Sequence, residues 1–139
     1  MSTNLQLKMT YNNYKYSELT EKIILSFYKV YNTLGYGFLE KIYEKALLIE
    51  LRKIGLKVDE QKCINVFYQN EVIGVYFADL IVNDSVIIEI KATGEIKKIH
   101  EIQLVNYLKA SDIEVGLLIN FGETPIVKRK VFSNQKFKN

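Results

Sequence analysis

Cysteine and proline are almost absent from this sequence, and each scarcity excludes a class of protein. The single cysteine, Cys63, excludes an internal disulfide and a multi-cysteine zinc site. One proline and seven glycines, with no low-complexity run and no internal repeat, argue against linkers and repeat architectures. The sequence has neither an apolar run of about 18 residues nor a signal-like apolar segment at its start, which predicts a cytoplasmic protein with no membrane partner.

Length, hydrophobic content and charge predict one domain between two polar ends. With 139 residues, 48% of them hydrophobic, the chain can bury a core, and we expect that domain to span 17–133. Residues 1–16 are polar and lack a usable period, which predicts a flexible leader. Residues 134–139 form a basic tail that is either a solvated end or a surface for phosphates. The net charge of +3 permits nucleic-acid binding without establishing it.

Hydrophobic periodicity predicts an α/β domain whose mixed central sheet is flanked by helices. The first predicted helix begins at Ser17 or Thr20 and ends at 34, and the other predicted helices cover 39–54 and 96–110. The predicted strands cover 56–68, 72–82, 86–91, 115–120 and 126–132. The first three strands are expected to be antiparallel. The apolar run 115–120 is typical of a buried parallel strand reached by a helical crossover, and 126–132 is expected at an edge. The third helix offers a core-facing stripe made of Ile99, Ile102, Val105 and either Leu104 or Leu108.

Strand 86–91 places two ionisable side chains inside an apolar, β-branched run. Residues two apart in a strand share a face, so Glu89 and Lys91 point the same way. Burying a charge is costly unless a partner or a metal compensates for it, which makes this strand a candidate functional element. The plainer alternative is an ion pair between the two side chains on the sheet surface.

Asp79 interrupts the preceding apolar strand, and the length of the following loop decides where its carboxylate lies. In an antiparallel hairpin, directly opposed side chains share a face. A three-residue loop would oppose Asp79 to Glu89. A two-residue loop would oppose Asp79 to Ile88 and send the two carboxylates to opposite faces. We expect the three-residue loop.

Two opposed carboxylates repel each other unless a cation lies between them. Oxygen ligands suit Mg²⁺ or Mn²⁺ rather than zinc. Such an ion can present a water molecule to a phosphodiester and neutralise the charge that grows on the phosphorus oxygens. Lys91 beside it would orient that water or help to deprotonate it.

Several motifs of the chain resemble one superfamily of nucleases. Asp79, followed after a hairpin by Glu89-Ile90-Lys91, resembles the D…(E/D)-x-K core of the PD-(D/E)XK superfamily. The segment Gly37–Tyr43 matches the pattern G-x-x-E-x-x-Y, and the chain is identified as a member of the GxxExxY family within that superfamily. The segments 100–110 and 116–122 are also similar to that family.

The resemblance implies a restriction-endonuclease-like core that cleaves phosphodiester bonds of nucleic acid, DNA in preference to RNA, with Mg²⁺ or Mn²⁺. Asp79 and Glu89 would be metal ligands, together with the backbone carbonyl of Ile90. Lys91 would be the catalytic lysine. Glu40 would add a catalytic or metal-binding carboxylate from a helix, and its plainer alternative is an exposed glutamate favoured by the helix dipole.

The resemblance also implies roles for the third helix. Gln103 and Tyr107 resemble the Q-x-x-x-Y element of exonuclease-type relatives, in which Gln103 would serve catalysis and Tyr107 would contact nucleic acid. Lys97 and His100 lie on the same polar stripe and are further candidate contacts, although His100 needs no role outside its helix. Tyr43, from the G-x-x-E-x-x-Y motif, is a last candidate contact.

A rival hypothesis keeps the fold without the chemistry. The chain could be a non-catalytic binding or interaction module within a nucleic-acid-processing or defence complex, because a core of this size has little room for a dedicated recognition domain. Homodimerisation could supply the missing surface in either case.

Overall fold

Residues 16–133, the part of the chain that the computed structural model describes, form a five-stranded sheet with helices on both faces. The helices are α1 (Ser17–Leu34), α2 (Glu40–Lys53) and α3 (Lys98–Ala110), and the strands are β1 (Val58–Tyr68), β2 (Glu71–Val82), β3 (Val86–Lys91), β4 (Val115–Phe121) and β5 (Pro125–Val131). Every predicted helix and strand is confirmed. The first helix begins at Ser17, the earlier of its two predicted starts, and every other boundary lies within two residues of the prediction. The predicted leader, apart from Tyr16, and the predicted tail lie outside the described residues.

The strands lie in the sheet in the order β1-β2-β3-β4-β5. Neighbouring strands are antiparallel except for β3 and β4, which are parallel from Val86↔Val115 to Lys91↔Asn120. Parallel neighbours need a crossover connection, which α3 supplies. The predicted mixed sheet, its parallel crossover and the edge position of β5 are therefore confirmed.

The sheet separates two apolar clusters. On one face, Phe27 of α1 and Leu47 of α2 belong to the same cluster as Ile88 of β3. On the other face, Leu108 of α3 clusters with Ile87. Helices on both faces explain why β3 is apolar at successive positions, since each side chain meets a core. No helix within residues 16–133 is long and apolar enough to cross a membrane.

The break between α1 and α2 is held by Tyr43. Gly35 ends α1 with φ 69°, a left-handed conformation that favours glycine. The Tyr43 hydroxyl donates to the carbonyl oxygen of Gly35 (2.7 Å) and accepts from the N–H of Phe38 (3.1 Å). Its ring stacks on that of Phe121, with centroids 4.2 Å apart. Because Tyr43 is fully buried, the prediction that it contacts nucleic acid is wrong.

The buried side of α3 differs from the predicted stripe. Leu104 and Leu108 are buried, but Ile99 and Ile102 are exposed, so the prediction that these two isoleucines face the core is wrong. α3 approaches β4 closely at Gly116, where a Cβ atom would lie 2.8 Å from Cδ1 of Leu104. Leu104 lies against the sheet, and Leu108, four positions later, shares its side of the helix. Ile102 and Ile99, two and five positions before Leu104, lie on other sides.

The hairpin of β1 and β2 extends beyond the rest of the sheet. From Cys63↔Phe77 to Tyr68↔Glu71, the two strands pair only with each other among the described residues. We call this segment, residues 63–77, the hairpin arm. One face of the arm packs on α3, where the ring of Tyr76 lies 4.8 Å from that of Tyr107.

Replacement of Leu104 by alanine tests the buried side of α3. The change removes a fully buried side chain next to Gly116, and we expect it to lower the free energy of unfolding by about 2–5 kcal/mol. Ile99→Ala is the matched control on the same helix, with an expected effect of about 0.5 kcal/mol or less. Urea unfolding followed by circular dichroism measures both, and a larger loss for Ile99→Ala would contradict the observed orientation of α3.

Candidate active site

The loop between β2 and β3 sets the register of the site. Val82 pairs with Val86 and Leu80 pairs with Ile88, which leaves three residues, 83–85, in the loop. The predicted three-residue loop is therefore confirmed. The next opposed positions in this register are Asp79 and Glu89, but the backbone ladder stops before them.

At this point, which we call the fork, side-chain carboxylates take the place of backbone acceptors. The N–H of Asp79 donates to Oε1 of Glu89 (3.2 Å), and the N–H of Ile90 donates to Oδ2 of Asp79 (2.8 Å). Each carboxylate thus satisfies an amide of the opposite strand. The exchange locks two acidic side chains side by side as the strands separate.

Glu89 is an unusually placed acid because only 7% of its surface is exposed. Burial, with the negative charge of Asp79 as the second cause, raises the pKa of Glu89 to about 9. The hydrogen bond from the Asp79 backbone and the positive charge of Lys91 act in the opposite direction. At neutral pH and without a bound cation, Glu89 therefore holds a proton.

Lys91 ends β3 two residues after Glu89 and shares its face of the strand. Its side chain is half-buried and makes no ion pair with another of the described residues. The ammonium lies close enough to Glu89 to lower the pKa of that carboxyl, without a direct ion pair to it. Its positive charge is therefore not neutralised by a direct contact with a carboxylate of residues 16–133.

Asn120 fastens the segment that follows Lys91. Its side chain is 1% exposed, and its amide forms two hydrogen bonds with the backbone of Thr93: it accepts from the N–H (3.0 Å) and donates to the carbonyl oxygen (2.9 Å). Gly122 allows this approach, because a Cβ atom there would lie 2.5 Å from the Thr93 carbonyl oxygen. The pair explains why the 116–122 segment carries an asparagine and a glycine next to the site.

A carboxylate of α2, that of Glu44, is linked to the fork, although the sequence did not predict Glu44 as a site residue. Nε2 of Gln61 donates to Oε1 of Glu44 (2.9 Å) and to Oδ1 of Asp79 (3.2 Å), so one amide bridges the two acids. Glu44 is 3% exposed, and Nζ of Lys41 lies 2.8 Å from its Oε2. Burial, with the neighbouring carboxylate of Glu60 as the second cause, raises the pKa of Glu44.

The two missed residues differ in how far the sequence could have revealed them. Glu44 lies four positions before Leu48, a residue on the buried side of α2, and this spacing is a usable signal for a buried acid. Gln61 has a left-handed backbone (φ 53°) inside β1, where it leaves the regular pairing with β2. Nothing in the residue type glutamine predicts that conformation.

Tyr107 lies beside the carboxylates on the α3 side of the sheet. Burial, reinforced by the charges of Glu89 and Asp79, raises the pKa of Tyr107 to about 12, so its hydroxyl stays protonated. The side chain is only 6% exposed, which leaves little of it for contact with nucleic acid. Its place in the structure is that of a support for the site.

Apart from the backbone of Ile90, the other predicted residues form no hydrogen bond with Asp79 or Glu89. Glu40, in the first turn of α2, and Gln103, on α3, are exposed and make no hydrogen bond with another of the residues 16–133. The ring of His100 accepts from the backbone N–H of Lys97 at Nδ1 (3.1 Å) and so caps the start of α3. The exposed side chain of Lys97 remains a predicted contact for nucleic acid, and the carbonyl of Ile90 remains a predicted ligand.

The acidic side chains of the fork fit a hard divalent cation in donor chemistry. Within residues 16–133, no three Asp, Glu, His or Cys side chains are grouped closely enough to hold a metal by themselves. Asp79 and Glu89 provide two carboxylates, and Glu44 lies one amide bridge away. A cation that keeps several water ligands needs only one or two such carboxylates, and it would relieve the repulsion that raises the pKa of Glu89.

The chain has a restriction-endonuclease-like α/β fold. This fold combines a mixed sheet, helices on both faces, and a hairpin that carries Asp79 and Glu89-x-Lys91. The chain matches a family model described as the PD-(D/E)XK nuclease superfamily over residues 17–131, and it belongs to that superfamily. This match does not test membership of the narrower GxxExxY family, which stays a prediction.

None of the curated proteins compared with the chain matches it. A crystal structure of SSO0001 is similar to the chain with 20% sequence identity and a TM-score of 0.49 over 88% of the chain. The chain spans 63% of the length of that structure.

The buried proton of Glu89 predicts a pH dependence of stability. The folded chain keeps this proton up to a pH of about 9, whereas the unfolded chain loses it near the ordinary pKa of 4.5, so the folded state binds more protons between these values. Without divalent cations, the contribution of Glu89 to the free energy of unfolding should therefore fall as the pH rises from about 5 to about 9.

Glu89→Gln removes that contribution, because glutamine does not titrate. Urea unfolding of both proteins in the presence of a chelator at a series of pH values measures the difference. We expect the stability of the natural chain to decline relative to Glu89→Gln as the pH rises. Parallel pH profiles would show that Glu89 is already ionised in the folded state.

Proposed function

We propose that the chain is a cytoplasmic nuclease that uses Mg²⁺ or Mn²⁺ to hydrolyse phosphodiester bonds of nucleic acid, DNA in preference to RNA. The observation that carries the proposal is the interlocked pair Asp79 and Glu89, with Lys91 on the same face, in a chain that belongs to a nuclease superfamily. The net positive charge of the chain is compatible with a phosphate-bearing substrate.

Asp79 and Glu89 are the proposed metal ligands, together with the backbone carbonyl of Ile90. A divalent cation bound there would supply an activated water and neutralise charge on the phosphorus oxygens. Glu89 would lose its proton on binding, because metal and proton compete for the same carboxylate. Asp79 is held in place for this role by its hydrogen bonds to Ile90 and Gln61.

Lys91 is the proposed catalytic lysine. Its ammonium would orient the attacking water and stabilise negative charge on the phosphorus oxygens in the transition state. Its position depends on β3 before it and on the Thr93 segment after it, which Asn120 fixes through two hydrogen bonds. A rigid support of this kind keeps a reacting group within the narrow range of geometries that catalysis needs.

Glu44 is proposed in the supporting role that the motif suggested for Glu40. The amide bridge through Gln61 and the burial of Glu44 support this choice, whereas Glu40 is exposed. Gln103 is retained as a proposed catalytic residue, and Lys97 and His100 on the same helix are retained as proposed contacts for nucleic acid.

The hairpin arm favours a second candidate function. Its exposed apolar side chains are typical of a surface that binds protein, which suits an interaction module within a nucleic-acid-processing or defence complex. In that case the carboxylate pair would bind a cation or nucleic acid without turnover.

Replacement of Lys91 by alanine separates the two functions. If the chain is a nuclease, we expect it to cleave plasmid and linear DNA with Mg²⁺ or Mn²⁺, and we expect Lys91→Ala to reduce the rate by at least about a hundredfold, because the transition state loses its cation. The fold should survive, since Lys91 lies at the end of β3, and circular dichroism checks this.

Lys22→Ala is the matched control, because it removes an exposed lysine on α1 that has no part in the site. It should cleave at the rate of the natural chain. Cleavage that persists in Lys91→Ala would contradict the assigned chemistry. Binding of Mn²⁺ and DNA by the natural chain without any cleavage would favour the interaction module.

A further inference from the structure

The hairpin arm exposes more large apolar side chains than any other part of the described chain. The face that packs on α3 buries Ile64 and contacts Tyr107 through Tyr76. The opposite face carries Val75 and Phe77, which are 47% and 55% exposed. Nearer the tip, strand alternation places Tyr68 and Ile73 on this same face, and both are more than half exposed. Phe67 and Val72 lie on the α3 side, where Phe67 lines a groove with Tyr76. A contiguous apolar surface of this kind marks an interaction site.

The arm also lacks charge. Between Cys63 and Phe77 the only ionisable carboxylate or ammonium belongs to Glu71, at the turn. Uncharged segments of high β propensity with open apolar faces aggregate unless a partner covers them. The composition of the arm is therefore that of a surface that is covered in the working protein.

We propose that two copies of this chain associate through their hairpin arms, each packing the face of Val75 and Phe77 against the same face of the other. A two-fold interface must be self-complementary, since the same patch meets itself. An apolar, uncharged face meets this condition, because two copies of it bring no like charges together. This holds even though each chain carries a net charge of +3. A partner with a charged surface would find no complement on this face.

The size of the surface agrees with a dimer. The four exposed apolar side chains of this face, Tyr68, Ile73, Val75 and Phe77, present on the order of 400 Å². A standard interface buries roughly 800 Å² on each partner, of which a little over half is ordinarily apolar. The backbone and the polar side chains around the patch supply the remainder. Because β2 runs from the arm into Asp79, the interface also fixes the separation of the two carboxylate pairs.

Val75→Lys tests the proposal without touching the core. Val75 is directly opposed to Asn65 on the exposed face, so a lysine there remains solvated in a monomer but places two ammonium groups in the proposed interface. Light scattering after gel filtration should give twice the chain mass of 16.2 kDa for the natural protein. The substitution should raise the dissociation constant at least about tenfold. Val75→Thr, which keeps the β-branched shape, should have a smaller effect in the same direction.

Leu25→Lys is the matched control, because Leu25 is 64% exposed on α1, and it should leave the dimer intact. Cys63 gives an independent readout, since it is exposed in the single chain and directly opposed to Phe77 on the proposed interface. Its alkylation by iodoacetamide should be slow in the natural dimer and fast in Val75→Lys.

Three results would overturn the proposal. These are a natural protein that is monomeric at micromolar concentration, a dimer that survives Val75→Lys, and a Cys63 that reacts equally fast in both proteins. A monomer with a protected Cys63 would identify another part of the same chain as the cover of the arm. None of these measurements depends on nuclease activity, so the dimer and the proposed chemistry can fail separately.

Discussion

The fork between β2 and β3 is the constraint on which the rest of the site depends. There the backbone ladder ends, and Asp79 and Glu89 accept the amide protons that the ladder would otherwise have paired. This arrangement holds two carboxyl groups together in a place where water screens their charges poorly. Ionisation of Glu89 is therefore unfavourable, and its pKa is raised. Such a cost is usual where a protein prepares a site for a cation rather than for its own stability.

The surroundings of the fork hold its geometry from three sides. Gln61 ties Asp79 to Glu44 on α2, and Tyr107 closes the α3 side. Asn120 of β4 holds the backbone that leaves Lys91. These supporting side chains come from two strands and from helices on opposite faces of the sheet. A sheet with helices on both faces can bring all four side chains to one hairpin, which explains why this fold suits the site.

Much of this structure could be predicted from the sequence because its signals are local. The helices and strands follow from apolar periodicity, and the three-residue loop fixes the register that opposes Asp79 to Glu89. Other features depend on tertiary contacts that no local pattern carries. The orientation of α3 is set by the meeting of Leu104 with Gly116, and it turns the predicted core residue Ile99 outward.

The motif G-x-x-E-x-x-Y does not by itself show where its polar side chains lie in the fold. In G-x-x-E-x-x-Y, Glu40 is the marked acid, but the helix turns Glu44 toward Asp79, because Glu44 lies on the buried side of α2. Tyr43 is polar enough to suggest a contact with nucleic acid, but its hydroxyl is used to hold the α1–α2 break and its ring to fill the core. A motif names the residues of a site more reliably than it assigns their roles.

The central claim is that the fork binds a divalent cation in exchange for the proton of Glu89. Calorimetric titration with Mn²⁺ at neutral pH, repeated in buffers of different ionisation enthalpy, measures both the binding and the protons released. We expect release of about one proton per ion bound, and loss of this release in Glu89→Gln. We also expect Asp79→Asn to weaken binding and Glu40→Gln to leave it unchanged. Binding without proton release, or binding that is unaffected by changes at Asp79 and Glu89, would contradict it.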